Sequence, residues 1–119
     1  MSAPEYDTPT APRPSSRTAH ARDACVDVII PVYRGLGETR ACIESVLHSR
    51  LRTRAQIIVI NDASPEPALA RYLRGLGGAV TVLENDANLG FVATVNRGMA
   101  LHPARDVLLL NSDTVVAND

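Results

Sequence analysis

Four short clusters of polar and turn-forming residues each follow an apolar run: Pro31-Val32-Tyr33, Asn61-Asp62-Ala63-Ser64, Asn88-Leu89-Gly90 and Asn111-Ser112-Asp113. The last carries the most specific chemistry. A carboxylate, Asp113, beside other oxygen donors offers the hard ligands that Mg²⁺ or Mn²⁺ takes, and a cation there would neutralise a diphosphate. Capping of a helix is an equally simple use for Asp113. Asp62 stands between an apolar run and a helix start, where its carboxylate can accept hydrogen bonds from a base or sugar edge. Asp62 and Ser64 can also serve as nothing more than helix caps. Gly90 permits a positive φ or close backbone approach, and Asn88 tolerates a turn.

Composition narrows what such a rim binds. The 119 residues include 12 basic and 13 acidic side chains, for a net charge of -1. That near-balance argues against nucleic acid or an anionic membrane as the main partner. Cys25 and Cys42 are too far apart for a CxxC site, and His20, His48 and His102 lack metal-ligand spacing. Reduced thiols packed as small hydrophobes in a cytoplasmic protein are the expectation. Arg50, Arg52 and Arg54 form a basic stretch that suits a solvated loop, or the inner face of a membrane where lipid-linked acceptors lie.

The elements that position these clusters follow from the changing period of the apolar residues. Residues 1–23, with Pro4, Pro9, Pro12 and Pro14 among Ser, Thr, Ala and Arg, read as a disordered tail with neither a signal-peptide nor a transit-peptide pattern. Strands are expected at 26–32, 56–62, 79–85 and 106–111, the third more alternating and so nearer an edge, the fourth buried and central. Helices are expected at 37–50, from Ser64 as N-cap with Pro65 at its first position, and at 91–101. The order βαβαβαβ with β-branched strands predicts an α/β fold, a mostly parallel sheet with alternating helices. In such sheets ligands bind outside the carboxyl ends of the strands, where all four clusters fall.

Other nucleotide motifs fit poorly. Gly35-Leu36-Gly37 follows the first strand, but Arg40 stands where a dinucleotide fingerprint needs its third glycine. Walker A, G-x-S-x-G and zinc spacings do not occur in the chain.

Taken together and in order, VDVIIPVYRG, IIVINDAS, ENDANLGFVATVNRG and DVLLLNSDTVV resemble the nucleotide-binding half of inverting family 2 glycosyltransferases of the GT-A, nucleotide-diphospho-sugar transferase type. The resemblance covers residues 26 to 119 and leaves 24–119 as a donor-binding half. It implies that Pro31 and Tyr33 line the nucleoside pocket and that Asp62 contacts base or ribose. It implies further that Asn88 and Gly90 belong to a loop near the donor, with Asn96 and Arg97 in the helix behind. Asn111-Ser112-Asp113 stands where the family carries Asp-x-Asp, which makes Asp113 the metal ligand for Mg²⁺ or Mn²⁺ and Asn111 a neutral oxygen beside it. Asn61 replaces the first acid of the usual Asp-Asp-x-Ser turn. Asn-x-Asp resembles the variant found among rhamnosyltransferase-like members.

The implied reaction is transfer of a sugar from a UDP- or dTDP-linked donor to a glycan or lipid-linked acceptor hydroxyl, with inversion, in cell-wall or polysaccharide synthesis. The catalytic base of such enzymes lies beyond the metal motif, so it is expected beyond Asp119, and the chain reads as truncated. A parallel sheet cut at this point predicts limited stability, self-association or completion by another chain. The competing expectation is a non-catalytic nucleotide-sugar-binding or assembly module, or an inactive fragment.

Overall fold

A computed structural model describes residues 25–49 and 54–117. The tail expected at 1–23, and Arg50 and Arg52 of the basic stretch, lie outside the described residues. Seven elements alternate: β1 (Val26–Val32), α1 (Leu36–Leu47), β2 (Ala55–Asn61), α2 (Pro67–Arg74), β3 (Val80–Glu84), α3 (Phe91–Met99) and β4 (Asp106–Leu109). The four strands form one parallel sheet in the order β3-β2-β1-β4. Val28, Ile29 and Ile30 of β1 pair with Ile57, Ile58 and Val59 of β2. All six are buried, as expected of β-branched runs covered by helices on both faces.

Alternation along the strands divides the core in two. Val28, Ile30, Val32, Ile57 and Val59 pack beneath α1 and α2 against Cys42, Ile43, Val46, Leu69 and Leu73. Ile29, Ile58 and Ile60 occupy the other face. There α3 approaches so closely that a Cβ on Gly98 would meet Ile60 Cδ1 at 2.9 Å and Ile29 at 3.1 Å. Glycine is thus what lets this helix sit directly on the sheet.

Two elements depart from the sequence reading. The second helix begins at Pro67 with Glu66 in the N-cap position, not at Ser64 and Pro65. The reason is local: Ser64 N–H donates to Asn61 Oδ1 at 2.8 Å and Glu66 N–H donates to Ser64 Oγ at 3.1 Å, so these polar side chains close turns ahead of the helix. Ala63, at φ 56°, completes the bend. The fourth strand spans only Asp106–Leu109 and, among the described residues, is an edge strand that pairs with β1 alone. Leu109 is accordingly 39% exposed, not buried in a central strand. β3 forms the opposite edge, as its alternating pattern predicts.

Candidate functional site

Parallel register brings the four clusters to one end of the sheet. Val32 pairs with Asn61, and Asn61 with Glu84. The ladder then continues past the strand ends, with Asp62 N–H donating to Val32 O at 2.8 Å and Asn85 N–H to Asn61 O at 2.8 Å. On the other side Leu110 N–H donates to Ile29 O at 3.0 Å and delivers the residues that follow β4 to the same rim.

Two adjoining clefts open there. One, of about 480 Å³, is lined by Pro31, Tyr33, Phe91, Asn111, Ser112 and Asp113, with Arg34 and Glu38 at its side. The other, of about 280 Å³, is lined by Pro31, Tyr33, Asp62, Asn88, Gly90 and Phe91. Pro31, Tyr33 and Phe91 form their common wall. Pro31, Tyr33, Asp62, Asn88, Gly90, Asn111 and Asp113 therefore each border one cleft or both. Asn61 does not line either: it is buried, with its side chain committed to the Ser64 turn. Asn96 is likewise absent from both walls, and Arg97 reaches back beneath the rim instead.

Asp62 is held more tightly than a residue waiting for ligand. Its Oδ1 accepts from Asn85 Nδ2 at 2.9 Å and from Leu89 N–H at 2.7 Å. Its Oδ2 accepts from Asn88 Nδ2 at 3.0 Å and from Gly90 N–H at 2.9 Å. Burial opposes ionisation, but the donors from Leu89, Asn85 and Gly90 outweigh it and hold the carboxyl below the usual carboxylate range. Gly90, at φ 89°, turns the chain so that consecutive amides of the loop meet one side chain before α3 begins.

The Asn111–Asp113 segment is a turn, closed by Thr114 N–H donating to Asn111 O at 3.0 Å. It is fastened to α1 from below: Cys42 Sγ lies 3.5 Å from Asn111 O, and Ser45 Oγ accepts from Val116 N–H at 2.9 Å. Asp113 itself is exposed to the cleft. Among the described residues no three His, Cys, Asp or Glu side chains converge as a metal cage. A carboxylate with neighbouring amide and hydroxyl oxygens suits a hard cation that brings most of its ligands as water and phosphate, as Mg²⁺ does, and not a resident ion enclosed by protein.

Phe91, Arg34, Glu38 and Asn85 belong to this end of the molecule without having been singled out. Phe91 is the single phenylalanine of the chain and directly follows Gly90, a signal hidden because it reads as the first core residue of a helix. In the fold it is 52% exposed and separates the two clefts. Arg34 sets its guanidinium carbon 5.1 Å above the ring of Tyr33.

Residues 27–119 match the family described as Glycosyl transferase family 2. The chain belongs to that family. An Escherichia coli K12 relative, described as the uncharacterized glycosyltransferase YibD, is 31% identical over 93 residues, which is 76% of this chain and 26% of that protein. The fold resembles that of Staphylococcus aureus TarS, solved as residues 1–349 in complex with UDP-GlcNAc (TM-score 0.60, 21% identity, covering 75% of this chain and 26% of TarS 1–349). It also resembles the mannosyltransferase PcManGT of Pyrobaculum calidifontis, solved in complex with GDP-Man and Mn²⁺ (TM-score 0.61, 21% identity, covering 76% of this chain and 28% of that one). The family 2 chain thus spans about a quarter of the length of the relatives it matches. Among its described residues no helix is long and apolar enough to cross a membrane.

Proposed function

We propose that this segment is the donor-binding part of an inverting glycosyltransferase that uses a nucleoside-diphosphate sugar and a divalent cation. The observation that carries the reading is that Asp113 shares one cleft with Pro31 and Tyr33 and opens, through that wall, onto the loop of Asn88 and Gly90. The smaller cleft takes the nucleoside between Tyr33 and that loop, over Asp62. The larger takes the diphosphate and sugar, with Asn111 and Asp113 facing the phosphates. Complexes of TarS with UDP-GlcNAc and of the mannosyltransferase with GDP-Man support a nucleotide-sugar donor here, and the donors proposed for this chain are UDP- or dTDP-linked.

Asp113 and the Asn111 amide would hold Mg²⁺ or Mn²⁺, which when bound offsets the charge that develops on the leaving diphosphate. Asn111 in place of a carboxylate lowers the negative charge at that point and so weakens the hold on the cation before nucleotide arrives. Tyr33 and Phe91 supply apolar walls that exclude water from the donor. The acceptor, a glycan or lipid-linked hydroxyl, must be deprotonated by a base that the acceptor-binding part of the enzyme provides.

Calorimetric titration with UDP and with dTDP, each with and without Mn²⁺, tests this on the chain and on Asp113→Ala. The expected result is binding that requires Mn²⁺ and is lost in the variant. A folded chain that binds neither nucleotide overturns the proposal.

A further inference from the structure

Beneath the loop that closes the smaller cleft runs a buried side-chain relay. Asn85, 7% exposed, donates through Nδ2 both to Asp62 Oδ1 at 2.9 Å and to Thr94 Oγ1 at 3.0 Å. Its Oδ1 in turn accepts from Arg97 Nη1 at 2.6 Å, and the same guanidinium nitrogen donates to Glu84 O at 2.8 Å. A cation on α3 is thereby connected through one amide to an anion at the end of β2. Each bond in such a chain polarises the next, in a place where an unpaired group would be costly.

The far end of the relay is already full. A carboxylate offers about four acceptor positions. On Asp62 they meet Asn85, Leu89, Asn88 and Gly90, three of which belong to the loop itself. Asp62 is only 5% exposed. Asn85 lines neither of the two clefts but a separate opening behind the loop, with Leu89 and Arg97, so its link to the smaller cleft runs through Asp62 and the loop.

We infer that Asn85, braced by Thr94 and Arg97, is a positioning residue of the donor site: it fixes Asp62 as the anchor of the Asn88–Gly90 loop, and the loop's fixed backbone makes the nucleoside cleft. The inference rests on the donor-site reading above and deepens it. It gives Asp62, which lines the smaller cleft, a second role as support of the segment that closes that cleft.

The test uses Asn85→Leu, similar in branching but larger and without its hydrogen bonds, beside Thr94→Val and its conservative counterpart Thr94→Ser. Two readouts are followed: hydrogen exchange at the Leu89 and Gly90 amides, and affinity for UDP with Mn²⁺. Exchange at both amides is expected to speed, and UDP to weaken, by about tenfold in Thr94→Val, which loses one bond to Asn85, and by more in Asn85→Leu, which loses three. Thr94→Ser should stay close to wild type, and Ile30 and Ile58 amides in the core strands should remain protected in all three. Should Asn85→Leu unfold, Asn85→Ser takes its place, because Thr94 also touches Asp62 directly and its variants do not test Asn85 alone. Unchanged exchange at Leu89 and Gly90, or faster exchange with UDP affinity intact, overturns the inference and leaves the donor site standing. A wild-type chain that does not bind UDP overturns the donor site, and the positioning role with it.

Discussion

The thiol of Cys42 on α1 sits 3.5 Å from the carbonyl oxygen of Asn111, joining the helix to the turn that carries Asp113 across 69 residues of sequence. Burial pushes the thiol pKa up, and Asp113 adds to the shift against the opposing Thr114 amide, so Cys42 is a neutral donor at pH 7. Cys42→Ala removes that bond and leaves a small void among Ile43, Val46 and their neighbours. The expected cost is about 1 kcal/mol in urea unfolding, with Cys42 in the native chain reacting much more slowly with a thiol reagent than Cys25. Equal reaction rates would mean that the helix and turn separate readily.

Gly98 tests how closely α3 lies on the sheet. An alanine there is the better helix former by about 1 kcal/mol, yet its methyl would stand 2.9 Å from Ile60 Cδ1 and 3.1 Å from two atoms of Ile29. Overpacking of this kind typically costs ~1–3 kcal/mol. Gly98→Ala is therefore expected to lower the thermal midpoint, with the shift growing in Gly98→Val; an unchanged or higher midpoint would show that α3 can move away freely.

Acid should loosen the loop at the carboxyl rim of the sheet before the rest of the protein. The carboxyl of Asp62 is held below its unfolded value of about 3.9, so the stabilisation it supplies is fully present above that pH. It is lost as pH falls through the lower folded value. Amide exchange at Leu89 and Gly90, referred to the intrinsic rate at each pH, is expected to lose protection below about pH 4 in the native chain. Asp62→Asn should show the loss already at neutral pH. If the variant and the native chain have the same pH profile, the Asp62 bonds do not hold the loop.

At the opposite end of the sheet Asp27 is fully buried and is paired with Arg105 at 2.9 Å and, through a ring nitrogen, with His102 at 2.7 Å. Removing one member of a fully buried pair costs ~3–5 kcal/mol, but His102 and Arg105 are each about one-third exposed and can rehydrate. Asp27→Ala is thus expected to cost about 2 kcal/mol in urea unfolding. Nucleotide affinity should be unaffected, because Asp27 lies far along β1 from the carboxyl rim. Loss of nucleotide binding in a folded Asp27→Ala chain would show coupling between the two ends of the sheet.

The sequence alone determined the alternation of strands and helices, the parallel sheet and the gathering of four polar clusters on one rim. These follow from local period, β-branched runs and turn residues, which act over a few positions and survive in a one-dimensional reading. The ordered motifs ending in Asn111-Ser112-Asp113 were also enough to point to the family. Only the tertiary structure decided what each polar group is bonded to. Ser64 and Pro65 look like the opening of a helix, but the side chains of Asn61 and Ser64 close turns there first, so the helix starts later. The DVLLLN run reads as a central strand, yet its place in the sheet depends on which strands pair, and it stands at an edge. Asp62 looks like a free acceptor because its partners lie 23 to 28 residues away, and register alone brings Asn85, Asn88, Leu89 and Gly90 to its oxygens. Hydrophobic periodicity fixes the faces of the elements; which hydrogen bonds form between their ends is settled when those faces pack.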